Sequence, residues 1–381
     1  MKKTSREKIK VYFFLPTLNA GGAERVTINI LKGIDRNTFS QKLILGNKIG
    51  AYVKEVPPYV PVMDLHKKHV RYALLELGKL LRREEPDILF SALGHANLVA
   101  LMSSFLARNA TKVVVSIHTT PSRAALEKRS LKSKLVFRLE PVLYSRADKV
   151  VVVSKGVKND VEECLGLKKE KIALIHNPIV DYKLIKLSHQ RINHPWLNNP
   201  DISVIISVGR LSEAKDYSTL LKAFRVVRNK LPAKLVILGE GKARRFLENL
   251  AEKLNIESHL EMPGFIENPY KYVAKASVFV LSSTREGLPT ALVEAMACGT
   301  PVVSTDCLSG PREIITSGVN GLLVPPKNPK ALADAILKVL TDKELSNRLA
   351  KAEKEKSRDF EVNKIVRKYE KLFMSVLKKK R

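Results

Sequence analysis

The chain of 381 residues has no apolar run near the ~20 residues that a membrane-spanning helix needs, so any membrane contact is expected to be peripheral. Its three cysteines, Cys164, Cys298 and Cys307, are scattered and lack the paired spacing of a zinc site, which predicts a reducing cytoplasm and no metal cluster. Aromatic residues make up 6% and are dispersed, not interleaved with basic residues as in a groove for single-stranded nucleic acid, and this argues against a nucleic-acid-binding protein. Acidic residues are the scarce charge: 38 Asp and Glu stand against 67 Lys and Arg, a formal net of +29. That excess is spread over both halves of the chain, so it is no detachable basic tail, and it predicts attraction to an anionic membrane surface. The opening MKKTSREKIKVYFFLPTL has too short an apolar run for a signal peptide, and Pro16 cuts it; a buried first strand is the better reading.

The length suffices for two domains. From Ile9 onward, short β-branched runs alternate with longer amphipathic segments, the pattern of a parallel sheet covered by helices. Strands are expected at 10–15, 42–45, 60–65, 88–92, 113–118, 149–153 and 172–175, with helices at 23–31, 70–83, 97–108, 123–139 and 155–165. The stretch 177–200, rich in proline and asparagine and without periodicity, reads as a linker. A second run of strands follows at 204–208, 234–238, 260–262, 278–281 and 301–304. The division is thus 1–180, a linker 181–200, a second domain 201–360, and a basic helix 361–381.

In sheets of this kind ligands gather where strands end, so the loops after strands hold the candidates. The stretch EGLPTALVEAMACG, Glu286 to Gly299, reads as a helix from Pro289 to Cys298 stopped by Gly299 and Pro301. The first-turn amides of Thr290, Ala291 and Leu292 lack intrahelical partners, and with the positive end of the helix dipole they favour a phosphate. Glu286 lies just before that site and Glu294 one turn into the helix, so two carboxylates could accept hydroxyls on either side of the phosphate. Phosphate flanked by hydroxyl-bearing rings describes a nucleotide sugar. Two further loops carry suitable groups. Arg210 and Lys215 after the first strand of the second domain suit a diphosphate, and Gly21-Gly22 at a strand-to-helix turn lets backbone approach a ligand. The glycine loop is not G-x-G-x-x-G, which argues against a dinucleotide enzyme.

The stretch from Glu286, with its continuation GTPVVSTDCLSGPREII (Gly299 to Ile315), closely resembles the donor-site signature of retaining glycosyltransferases of family 4. Gly209-Arg210-Leu211 followed by Lys215-Asp216 resembles another signature of the same family. The resemblance implies an α/β GT-B architecture of two doubly wound Rossmann-like domains facing a cleft, with the last helix crossing back to the first domain. It implies a hexosyltransferase that takes its sugar from a nucleotide diphosphate donor, UDP above all, and acts on a lipid-linked or saccharide acceptor at the cytoplasmic membrane face. A soluble acceptor is the alternative.

By the same resemblance Glu286 would hold hydroxyls of the transferred sugar, Glu294 the ribose, and Arg210 and Lys215 the diphosphate. Gly287, Leu288 and Pro289 would line the donor, Phe265 would meet the base, Gly21 and Gly22 would approach the donor phosphate, and His118 would contact the sugar near the reacting carbon. No cofactor is expected and no metal, since no Asp-x-Asp pair occurs to bridge an ion to the diphosphate. Beyond His118, the segment 123–138 alternates Arg123, Lys128, Arg129, Lys132 and Lys134 with leucines, the composition of a helix lying on an anionic membrane.

Overall fold

The computed structural model describes residues 7–19, 21–122 and 131–378, apart from the side chains of 131–137. The chain divides into two compact units, one of Met1–Pro178 with Val362–Arg381, the other of Ile179–Glu361. The first is built on seven parallel strands: β1 (Ile9–Leu15), β2 (Phe39–Leu45), β3 (Val62–Asp64), β4 (Ile88–Ala92), β5 (Lys112–Ile117), β6 (Lys149–Val152) and β7 (Ile172–Leu174). Their order across the sheet is β3-β2-β1-β4-β5-β6-β7. The second unit has six parallel strands, β8 (Ser203–Val208), β9 (Ala233–Leu238), β10 (Leu260–Gly264), β11 (Val278–Leu281), β12 (Val302–Thr305) and β13 (Leu322–Val324), in the order β10-β9-β8-β11-β12-β13.

The inner strands β1, β4, β5, β8 and β11 read as near-continuous apolar runs because both of their faces are covered, leaving no solvent face for polar alternation. In β1 every residue from Val11 to Leu15 is buried, and Phe13 pairs in register with Leu43 of β2 and Phe90 of β4. The C-terminal helix Val362–Lys378 completes the first unit, burying Val362, Ile365, Val366, Tyr369, Leu372, Phe373 and Val376 at helical spacing. Phe373 packs its ring against Phe13, Phe39 and Phe90, with centroids 6.0 to 6.5 Å apart. The helix therefore shares the core of the first sheet, although it is the last element in sequence.

Each sheet reverses its winding beside its first strand, between β1 and β4 in one and between β8 and β11 in the other. Such switch points leave a crevice at the carboxyl ends of the strands, the common place for a ligand in doubly wound sheets. In the second unit β12 starts from an unusual support: the amide of Val302 donates to Glu353 Oε1 at 2.9 Å. Burial pushes the Glu353 carboxyl up to about 8, so this fully buried acid is mostly neutral at pH 7.

The stretch 181–200, read above as a linker, is ordered into the second unit. It carries the helix Tyr182–Ser188, capped by Asp181, whose carboxylate accepts from the Leu184 amide at 2.7 Å. His194 bonds Glu261 at 3.0 Å, and Asn268 donates to the Leu187 carbonyl at 3.1 Å. The stretch is held by caps and side-chain bonds rather than an apolar stripe, so it has no period to read. A second correction concerns Pro289, which is extended (φ −71°, ψ 102°) and precedes the helix; the helical residues are Thr290–Cys298.

Candidate active site

Beyond β8 the chain runs through Gly209 and Arg210 into a short turn, Glu213–Lys215. The turn ends at Asp216, whose backbone is left-handed (φ 43°) and whose carboxylate accepts from the Thr219 and Ser218 hydroxyls at 2.7 and 2.6 Å, capping the helix Tyr217–Arg228. This loop is fastened to the loop after β11, because the Ser282 hydroxyl donates to the Lys215 carbonyl at 2.8 Å. It is also packed tightly from below. Gly239 has φ +148°, and a Cβ there would lie 2.0 Å from the Gly209 carbonyl oxygen, so only glycine fits.

Lys215 and Glu286, 71 residues apart, meet at 2.6 Å between Nζ and Oε1. The Ser283 hydroxyl donates to the same Oε1, also at 2.6 Å. The side chains are 21% and 11% exposed, so the pair is largely withdrawn from water yet open on one side. Glu286 Oε2 has no hydrogen bond among the described residues, and the Lys215 ammonium has further protons to give. The backbone around Glu286 is held as firmly as its side chain. Ser309 Oγ donates to the carbonyls of Glu286 and Gly287 at 2.6 and 3.1 Å. Gly310 (φ +93°) lets its loop press on Pro289, where a Cβ would lie 2.6 Å from Pro289 Cδ. Cys307, buried in the same loop, has its thiol pushed up to about 12, first by burial and then by the Glu286 carboxylate.

Four residues past Glu286 the helix Thr290–Cys298 begins, after buried Gly287, Leu288 and Pro289. Pro289 has no side chain able to cap, and no side-chain bond closes the first turn, so the amides of Thr290, Ala291 and Leu292 start the helix uncapped. Glu294 stands one turn in and accepts from the Tyr270 hydroxyl at 3.3 Å. Arg210 is exposed and makes no ion pair among the described residues; Phe265, 55% exposed, follows Gly264 at the end of β10. The Gly264 carbonyl accepts from the Gly239 amide at 2.8 Å, which ties that loop to the one beside Gly209. Arg210, Lys215, Phe265, Glu286 and the helix start therefore belong to one edge of the second sheet. Among the described residues, Lys215 and Glu286 are the two of these joined by a hydrogen bond.

At the matching edge of the first sheet, Gly21 is the N-cap of the helix Gly22–Gly33, with no side-chain cap. A Cβ on Gly21 would lie 2.4 Å from Glu24 Oε2, so a larger residue there would displace the Glu24 carboxylate. His118 follows β5, its ring 3.0 Å from the hydroxyl of Ser116 and partly exposed. Loss of water around the ring pushes its pKa down to about 4, so the imidazole is neutral at pH 7.

Sequence reasoning passed over Ser282 and Ser283, which hold Lys215 and Glu286 in place, and quoted Ser309 and Asp216 in signatures without their bracing roles. The available signal was the hydroxyl run Ser282-Ser283-Thr284 directly after a strand. Arg123, Lys128 and Arg129 lie outside the described residues, as do the side chains of Lys132 and Lys134.

Residues 20–181 match the family model described as Glycosyltransferase Family 4, and residues 189–356 that of Glycosyl transferases group 1. A relative from Campylobacter jejuni is 31% identical over 94% of this chain and 97% of its own. The chain is a family 4 glycosyltransferase. That relative is named as the 4-α-N-acetylgalactosaminyltransferase acting on N-acetylgalactosamine-N,N'-diacetylbacillosaminyl-diphospho-undecaprenol. A second from the same organism, an α-1,4-N-acetyl-D-galactosaminyltransferase of a further undecaprenol-linked saccharide, is 26% identical over 97% of this glycosyltransferase and 99% of its own chain. Among solved structures, HepE of Anabaena in complex with UDP and glucose superposes with a TM-score of 0.80 at 23% identity, covering 96% of this chain and all of that one. The enzyme thus has the GT-B fold, two parallel-sheet Rossmann-like domains.

Proposed function

We propose that this glycosyltransferase moves a hexose or N-acetylhexosamine from a UDP-sugar to a lipid-linked saccharide, with retention at the anomeric carbon, on the cytoplasmic face of the membrane. The observation that carries the reading is the Lys215–Glu286 pair set just before the uncapped start of the helix Thr290–Cys298. The amides of Thr290, Ala291 and Leu292, with Arg210 and Lys215, take the diphosphate, and side-chain and backbone charge serve in place of a metal ion. Glu286 Oε2 accepts hydroxyls of the sugar, which passes along Gly287, Leu288 and Pro289; Glu294 holds the ribose and Phe265 stacks on the base. In the first unit, His118 donates to the sugar and the Gly21-Gly22 turn approaches the donor.

In the reaction the acceptor hydroxyl forms a bond to the anomeric carbon on the face from which the diphosphate departs. The bond from that carbon to the diphosphate oxygen breaks, and the same oxygen takes the hydroxyl proton. Catalysis then consists of positioning and of stabilising the charge that grows on the leaving diphosphate.

A lipid-linked acceptor follows the two Campylobacter relatives, whose names specify undecaprenol-linked substrates. Among the described residues no helix is long and apolar enough to cross a membrane. A peripheral contact is supported by exposed Leu75, Met102, Phe105, Leu139 and Val142 on three helices of the first unit, with exposed Arg108, Arg138 and Arg146 nearby in sequence. Arg146, in the turn just after the helix Leu131–Tyr144, lies over the Phe105 ring at 4.5 Å. Transfer of radiolabelled N-acetylhexosamine from UDP to an undecaprenyl-diphosphate saccharide should be several-fold faster in phosphatidylglycerol vesicles than in phosphatidylcholine. The advantage should shrink as salt shortens the Debye length below roughly 8 Å. Equal rates in both vesicles, or transfer only to a water-soluble saccharide, would contradict the membrane reading.

A further inference from the structure

Beneath His118 lies a buried polar group that the proposed chemistry does not use. Ser116, two residues earlier on β5 and fully buried, places its hydroxyl 3.0 Å from His118 Nε2. Its own carbonyl accepts from Asn97 Nδ2 at 2.8 Å, and Asn97 is itself fully buried on the helix Gly94–Ala107. The Asn97 amide nitrogen also reaches the Tyr144 hydroxyl at 3.4 Å, so the strand end is clamped by two neighbouring helices.

We infer that Ser116 is a positioning residue that fixes the tautomer of His118, with Asn97 holding the end of the strand that carries Ser116 and leads into His118. Two protonation patterns fit the 3.0 Å contact: the serine donates to Nε2, or Nε2–H donates to the serine. In the second, the serine proton would need another acceptor. His118 Nε2 is the one group the Ser116 hydroxyl bonds among the described residues. The hydroxyl of Tyr369, buried on the C-terminal helix, faces Ser116 and has no other partner among the described residues, so it too has a proton to place and acts on the serine oxygen as a donor, not as an acceptor. A proton left unmatched on a fully buried hydroxyl is costly, so the serine donates. Nε2 is then the acceptor and Nδ1 carries the ring proton. Nδ1 has no partner among the described residues, so its N–H is the donor the ring offers to a ligand. Histidine in water favours the opposite tautomer, and without Ser116 the ring would present a lone pair at Nδ1 for much of the time.

This rests on the proposed role of His118, and the test separates the two. In protein labelled with ¹⁵N-histidine, with His118→Gln identifying the signal, His118 should show a protonated Nδ1 and an unprotonated Nε2. Ser116→Ala should move that pattern towards protonated Nε2. It should lower kcat about tenfold, the effect of one hydrogen bond, with UDP binding unchanged. In a His118→Gln background Ser116→Ala should change turnover less than twofold. A tautomer that is unaltered in Ser116→Ala, or a full tenfold loss persisting without His118, would overturn the inference. If His118→Gln keeps wild-type turnover, the proposed role of His118 fails instead, and the nitrogen signals still decide whether Ser116 governs the ring.

Discussion

Glu286→Gln lowers turnover on the order of 100- to 1,000-fold while free UDP binds within a few-fold of wild type. The asymmetry follows from the carboxylate's surroundings. Oε1 is occupied by the Lys215 ammonium and the Ser283 hydroxyl, and Oε2 is available. A glutamine keeps the shape and one acceptor but loses the negative charge that strengthens hydrogen bonds to sugar hydroxyls as the anomeric carbon becomes electron-poor. It also loosens the hold on Lys215, which is why UDP affinity shifts slightly rather than not at all. Calorimetric titration with UDP beside steady-state kinetics checks the pair of values. Equal losses in both would mean that Glu286 serves the nucleotide and not the sugar.

Replacing Arg210 and Lys215 together by Ala abolishes measurable transfer and weakens UDP binding on the order of 100-fold or more, while the protein remains folded. Each cationic contact to a phosphate contributes about 1.5–3 kcal/mol, so two lost contacts suffice for that change in affinity. The fold survives because Arg210 is exposed and bonds nothing among the described residues, and Lys215 lies in a turn held by its backbone, through Ser282 Oγ on its carbonyl. Removing Lys215 leaves Glu286 with Ser283 alone, a partly buried carboxylate without its cation, so the melting temperature should drop by a few degrees rather than collapse. Circular dichroism melts and nucleotide titration of the double variant decide it. Unchanged UDP affinity would take the diphosphate away from these residues.

What could be read from the sequence was what sterics and burial write locally. The run IKVYFFL announces a strand because both faces of β1 are covered, and Gly299, left-handed at φ 80°, ends the helix where a glycine followed by proline says it must. The helix Tyr182–Ser188 was illegible because it buries only Leu184 and Ser188 and depends on the Asp181 cap; β13 has only three residues. At the site, Glu286, Lys215 and the helix start were recognisable as types suited to a sugar diphosphate. Their meeting at 2.6 Å was not, since it depends on β8 and β11 being neighbours at the switch point. The bracing roles of Ser283 and Ser309 could not be read beyond the hydroxyl run after β11 and the quoted signature, for a serine that holds a carboxylate or its backbone looks like any other loop serine until the chain is folded.

The most direct measurement follows the reaction by proton NMR, with UDP-α-N-acetylhexosamine as donor and an undecaprenyl-diphosphate saccharide analogue as acceptor. The donor's anomeric signal should decay as a new α-anomeric signal of the transferred sugar rises from the first time point. A product that first appears as the β-anomer, or no consumption of any nucleotide sugar in the presence of acceptor, would contradict retaining transfer at this site.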